Sequence, residues 1–422
     1  MSAGVGLPPE DVGTRRLLGL TWPARVSPAQ KRSLVAGGLG WMLDAMDVML
    51  YSMVLAELMV HLGIGKPQAG LLNSLTLAAS AVGGMAFGII ADRAGRTRAL
   101  MASILVYSIA SFACGLSQTL AQLAACRFVL GLGMGGEWAT GAALIAETWP
   151  APHRGKALGL MQSAWAIGEM IAAAVTLVVL PRFGWRAVFF VGVLPALAVF
   201  WIRREVPESP IWLEHRKPRG SSLAAMWRPD IRWKGVAAAL MNACSMFGYW
   251  GLFTWIPAYL ALPEAQGGRG LGIAVSLAWV LFMAPGKWLG YTAFGFSADA
   301  IGRRPSYVIY LLAAAALVPV FGSTRSLAWL LVLGPLVGFF GTGFFSGFGA
   351  VASELFPTEV RATAMGLSYN IGRGLSALAP LTVGWVATRH SFFAAFVVLA
   401  AAFLAAAGLA LLLPETKGKH LE

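Results

Sequence analysis

The chain has 422 residues, 58% of them hydrophobic and only 12% charged, with a mean hydropathy of +0.70. Too few polar side chains remain to coat a soluble globule of this size, so the composition excludes a soluble enzyme and implies an all-α integral membrane protein. The net charge of +13 would suit nucleic acid, but the basic residues are not gathered into a soluble domain, and no nucleic-acid partner is expected.

Residues 1–32 read as a polar tail. About 20 apolar residues in a helix cross a hydrocarbon core about 30 Å thick. Twelve such runs follow, at 33–61, 67–90, 99–117, 119–146, 156–180, 184–203, 233–262, 270–297, 304–323, 326–352, 362–388 and 391–413. They group as two six-helix halves, 33–203 and 233–413, joined by a basic linker loop, 204–232, and closed by a tail, 414–422. The first run is too long for a signal peptide and should persist as a span. Most Lys and Arg fall in segments on one side of the membrane, while the opposite loops hold only Lys66, Arg182, Arg186, Arg269, Arg325 and Arg389. That asymmetry places both termini in the cytoplasm and the chain in the plasma (inner) membrane, with the lipid bilayer as its surroundings. A monomer is expected. Cys114, Cys126 and Cys244 fall in or at spans and read as small apolar residues, because no spacing suggests a metal site or a disulfide framework.

The first span carries Asp44 and Asp47. A charged Asp near the bilayer centre costs roughly 3 kcal/mol on insertion scales, so such residues usually face a polar cavity. Three residues apart on a helix, both point the same way. Two carboxylates crowded on one face of a low-dielectric interior can exchange a proton near neutral pH, although a structural pair tied to a nearby Arg is the plainer alternative. In the fourth span, Arg127 lies at a depth that allows it to meet Asp47. Approach and withdrawal would then link proton affinity to conformation, whereas a permanent pair would only pin the two spans together. Glu137, about 15 Å deeper, is a candidate second relay carboxylate. The glycines before it, Gly131, Gly133, Gly135 and Gly136, suit close helix packing. Without a following Lys-Ser/Thr they do not read as a nucleotide loop.

Arg373, in the eleventh span, has no acidic residue within a turn of its own helix. A substrate carboxylate would satisfy it bidentately, and a salt bridge to Glu169 or Asp47 is the alternative. Lys287 in the eighth span and Glu169 in the fifth are further midplane charges, read either as substrate contacts or as members of fixed pairs. Gln162, Tyr51, Asn242, Tyr249, Tyr369 and Asn370, with Asn73, Trp165 and Trp250, are candidate cavity linings, or else packing and interfacial side chains.

The punctuation repeats at an offset of 207 residues: Gly88 to Arg96 matches Gly295 to Arg303, and Glu147 to Arg154 matches Glu354 to Arg361. In a parallel repeat of this kind the ligand site lies between the halves near midplane, and access alternates by rocking. The repeated loops supply a candidate cytoplasmic gate. Asp92, beside Arg93, can face the positive N-terminus of the helix beginning near Arg361, and Asp299 that of the helix near Arg154. Glu147 with an Arg of the first loop, Arg93 or Arg96 among them, and Glu354 with Arg303 or Arg304, would complete weak latches.

These loops, the run Arg127 to Gly135, Pro207-Glu-Ser-Pro210 and Pro414-Glu-Thr-Lys417-Gly418 resemble the major facilitator superfamily over nearly the whole chain. Asp44-x-x-Asp47, Gly136-Glu137-Trp138, the stretch from Gly184 and Asn370-Ile-Gly-Arg373 are most similar to its proton-coupled sialate/lactate and aromatic-acid symporters. The resemblance implies the major facilitator fold, an Arg127 that switches proton affinity, and substrate binding around Asn370 and Arg373. The resulting expectation is secondary transport of a small organic anion with a proton as the coupling ion and no cofactor. A sugar porter-type symporter and an exporter of lipophilic compounds are the alternatives. An enzyme is not expected, since no catalytic or metal-spaced constellation appears outside the spans.

Overall fold

Helix starts follow the local sequence. Ser27 and Gln30 form a reciprocal cap on a helix with Pro28 at its first position, Thr119 and Gln122 do the same for another, and Ser391 caps a third. The computed structural model describes residues 26–149, 151–209, 212–213, 228–356 and 361–417. Its helices are α1 (Pro28–Leu62), α2 (Lys66–Ala94), α3 (Arg96–Leu116), α4 (Leu120–Thr148), α5 (Ala151–Val191) and α6 (Pro195–Glu205), then α7 (Pro229–Ala261), α8 (Gly272–Ile301), α9 (Arg303–Ser323), α10 (Leu327–Gly343), α11 (Phe345–Leu355), α12 (Arg361–Ser376), α13 (Leu378–Arg389) and α14 (Phe392–Leu412).

Among the described residues, 10 helices are long and apolar enough to cross a membrane. With the kinked pair α12 and α13, which is not one of these ten, they account for twelve traverses. The run Ala157–Glu205 is 49 residues long and turns back at Gly184, whose φ of 75° is non-helical, so it crosses twice. The eleventh traverse is α12 with α13, kinked at Ala377, which keeps right-handed helical angles. Pro380 explains the kink, since it has no N–H for the Ser376 carbonyl. A similar kink at Phe344 divides α10 from α11 after the pair Gly341 and Gly343. Large apolar side chains such as Val60, Ile109, Phe183 and Trp329 stand exposed around the bundle, as a lipid-facing surface requires.

In the first half α2 packs on α4 and α1 on α5; in the second, α8 packs on α10 and α9 on α14. The halves meet where α13 crosses α2, α8 crosses α5 and α7 crosses α1. Small residues set the spacing. A side chain at Gly135 would run into the Ser80 carbonyl of α2, the close backbone approach that membrane helices achieve with glycine. Gly135→Val is expected to destabilise the protein by about 1–3 kcal/mol through overpacking. The check is a lower melting temperature of the purified protein in detergent.

Candidate functional site

Two ends of the bundle frame the site. One carries the tight turns at Gly95 and Gly302, whose φ values of 109° and 110° favour glycine; the far end carries the turns at Gly63 and Gly267. At the first end Arg96 pairs with Glu147 at 3.0 Å and Arg303 with Glu354 at 3.1 Å. Glu208 accepts the backbone N–H groups of Arg96 and Thr97 at 2.7 and 3.0 Å. In the second half, Glu415 accepts those of Arg303 and Arg304 at 2.9 and 3.1 Å. Each carboxylate thus sits on a helix N-terminus, where orphan donors and the macrodipole favour negative charge. Sequence reasoning noticed these two glutamates as motif letters and gave them no role, although their positions differ by the same 207 residues as the rest of the repeat.

Asp299 pairs with Arg303 one turn away. The side chains of Arg154, Asp92 and Arg361, and with them the contacts expected there, lie outside the described residues. Arg93 is exposed.

Partial burial pushes the Glu415 carboxyl up, but the backbone N–H groups of Lys417, Arg303, Arg304 and Thr416 outweigh it and hold the group below its ordinary value of 4.5. A carboxyl with a depressed value stabilises the folded form fully above that ordinary value and progressively less as pH falls through the folded one. Glu415→Gln is therefore expected to lower the melting temperature at pH 7. The gap between variant and wild type should close as the pH is taken below 4.5.

At midplane, Asp44, Asp47 and Glu137 are wholly buried. Asp47 accepts a hydrogen bond from Ser111 Oγ at 3.3 Å; the other Asp47 oxygen and both oxygens of Asp44 and of Glu137 have no partner. Tyr107, whose hydroxyl is also unpartnered, lies within electrostatic reach of all three carboxyls. Glu137 faces α1 at Gly40, one turn before Asp44. An ionised carboxylate without a donor in such surroundings costs several kcal/mol, so each must either carry a proton or meet a cation.

Arg127 does not pair with Asp47. Its Nη2 donates to Asn73 Oδ1 at 2.8 Å and its guanidinium lies 4.2 Å from the centre of the Tyr51 ring. Asn73 in turn donates to Thr254 of the second half at 2.8 Å. Depth along a helix placed Arg127 at a compatible height, but azimuth turns it toward α2, while Asp47 looks to α3. Tyr51, expected to line the cavity, donates to the Ala69 carbonyl at 2.6 Å and covers Arg127.

The cation near Asp44 and Glu137 is Arg373, from the opposite half. Its side chain is 2% exposed, and Nε and Nη2, the two donors along one edge of the guanidinium, have no partner. Arg373 lines a small cavity between the halves. Trp41, Gln162 and Trp165 form one wall, Tyr249, Trp250 and Tyr369 the other, with Tyr291 and Phe345 closing the second half's side. The rings interlock: Trp165 Nε1 donates to the Tyr249 hydroxyl at 2.7 Å and Trp41 lies 4.6 Å from Trp165. The cavity leaves about 20 Å³ for the centre of a water-sized sphere, room for about one water. Toward the Gly95 end it is floored by Trp138, stacked on Tyr369 at 4.3 Å and bonded through Nε1 to Gln162. Trp41, Trp138, Tyr291 and Phe345 were not anticipated, because in a chain this rich in aromatics a lining ring and a packing ring have the same sequence signature.

Lys287 and Glu169 pair with each other and do not line the cavity. Asn370 bonds back to the Gly366 carbonyl and packs on Gly84 of the first half. Asn242 lies against Gly372 with its amide nitrogen unpartnered. Among the described residues no three His, Cys, Asp or Glu side chains converge as a metal site requires.

The contacts between halves gather toward the far end. Lys66 Nζ donates to the Gln266 carbonyl at 2.7 Å and lies over Phe392, Ser74 Oγ accepts the Leu381 N–H at 3.2 Å, and Gly70 abuts the Pro380 carbonyl. The far end is closed over the cavity.

The profile of the Major Facilitator Superfamily matches residues 38–293 and 268–422. A probable 4-methylmuconolactone transporter of Cupriavidus pinatubonensis is 36% identical, over 95% of this chain and 94% of its own. A cis,cis-muconate transport protein of Acinetobacter baylyi is 32% identical, over 86% and 89%. Among solved structures, the xylose transporter XylE of E. coli in a partially occluded inward open conformation is similar with a TM-score of 0.72 at 20% identity, over 94% of this chain and 100% of that one. At that identity the likeness concerns the fold alone.

Proposed function

Because the chain belongs to the Major Facilitator Superfamily, and is a multi-pass inner-membrane transporter rather than an enzyme, we propose that it carries a small organic acid together with a proton by alternating access. The observation that supports this most is Arg373, buried between the halves with one guanidinium edge unpartnered and set in an aromatic cavity. That edge matches a carboxylate bidentately, and a neutral sugar would leave its charge unmet. The named relatives, transporters of a muconolactone and of muconate, agree with an acid as cargo.

Proton and acid are linked through the same charge. With Asp44 or Glu137 ionised, Arg373 has its counter-charge inside the protein. Protonation of that cluster leaves the guanidinium to seek another anion, which the substrate carboxylate supplies. Each ligand then raises the affinity of the other, as linkage demands. The loaded site is neutral, which lowers the barrier to exposing it on the other side. The Gly95 and Gly302 turns face the cytoplasm in this reading, so the closed far end faces outward. The Arg96–Glu147 and Arg303–Glu354 pairs, largely buried but reached by solvent, brace each half at its cytoplasmic end.

The test is uptake into proteoliposomes of lactate, hydroxybenzoate, sialate and dicarboxylates, with sugars as competitors. Acid uptake driven by an inside-alkaline gradient and abolished by a protonophore is expected. Uptake of sugars in place of acids, or acid uptake indifferent to the gradient, would refute the reading.

A further inference from the structure

Besides Arg373 and Arg127, the described interior holds a third cation, which the proposed cycle does not use. Lys287 of α8 is 2% exposed and its ammonium pairs with Glu169 of α5, across the interface of the halves. It also sits 3.6 Å from the centre of the Phe253 ring. The pair stands directly behind the cavity wall. Glu169 lies one turn from Trp165 and Lys287 one turn from Tyr291, on the same helix faces, and both Trp165 and Tyr291 line the cavity. Tyr249, another lining residue, lies within electrostatic reach of Glu169.

We infer that Glu169 sets substrate charge: by neutralising Lys287 it leaves Arg373, among the described residues, as the single free cation at the cavity, so that the site accepts monoanionic acids and rejects dianions. This rests on the reading of Arg373 as the carboxylate anchor. With the pair intact, the cavity presents one net positive charge once the Asp44 cluster is protonated. A monoanion cancels it. A second carboxylate would enter a water-poor aromatic space with no second charge there to meet it, the situation that produces strong discrimination. Without Glu169, the ammonium behind Tyr291 becomes available and the charge that suits the site rises to two.

The experiment measures binding to purified protein by competition, using pairs with one and two carboxylates on the same skeleton: benzoate with terephthalate, and sorbate with trans,trans-muconate. Wild type is expected to favour the monoacid of each pair by about tenfold or more. E169Q should shift that ratio toward the diacid by about tenfold or more, a change that a merely structural role would not produce. E169Q/K287Q removes both charges, so it should keep the wild-type preference even if E169Q, left with a lone buried ammonium, folds poorly. Equal binding of mono- and diacids by wild type overturns the inference, as does a folded E169Q with the wild-type ratio or a double variant that gains diacids. Those results would leave the acid-transporter reading standing. Wild type that binds no acid at all would remove that reading, and this inference with it.

Discussion

Arg373→Met abolishes acid binding while leaving the protein folded, with a melting temperature equal to or above that of wild type. Both halves of this expectation follow from the same observation. The guanidinium edge formed by Nε and Nη2 is buried without a partner, so it contributes nothing to the fold that methionine cannot replace, and its desolvation is a burden. A substrate carboxylate that loses a bidentate, charge-assisted partner forfeits about 2–5 kcal/mol, at least roughly thirtyfold in affinity. Ligand competition and thermal unfolding on one preparation measure the two effects together. Unchanged affinity would remove Arg373 from the binding site. A collapse in stability would mean that the guanidinium holds the fold together even when its free edge awaits substrate.

Asp44→Asn uncouples transport from the proton while exchange of acid for acid survives. Asparagine imitates the protonated acid in shape and charge, so only Glu137 is left to compete with substrate for Arg373. One proton per acid supports about tenfold accumulation for each unit of pH gradient. In the variant that ratio should fall toward one, with counterflow preserved and with acid affinity less dependent on pH. Concentrative uptake by the variant would sink the assignment. Asp47 is the less direct choice, because it looks to Ser111 and Gly192, whereas Asp44 is within reach of Arg373.

Much of this architecture was readable from residue spacing. The twelve apolar runs, the break near Gly184 and the fold itself follow from hydropathy and from a repeat of fixed offset. The buried charges were conspicuous because charge inside a membrane is rare. Their partners were not, since spacing along a helix fixes height and leaves rotation about the axis open. Arg127 shows the difference: height suggested Asp47, while the ladder that forms runs from Arg127 through Asn73 to Thr254 and ties the two halves together. Lys287 and Glu169 were seen as separate midplane charges with a pair as one alternative, and only their packing brings them to each other. The Glu208 and Glu415 caps depend on loops returning to distant helix starts, a long-range event that a local motif announces only by recurring.

The interlocked rings around Arg373 leave room for about one water. Cargo of any size therefore has to part Trp41 and Trp165 from Tyr249 and Tyr369, and those rings belong to opposite halves. The acid works as a wedge, and part of its attraction to Arg373 is spent separating the surfaces whose rocking moves it. Fit then has an upper bound as well as a lower one. An acid too thin fails to spread the rings, and one too thick or rigid holds them apart and jams the carrier, so the most tenacious ligands of this site should be inhibitors rather than cargo.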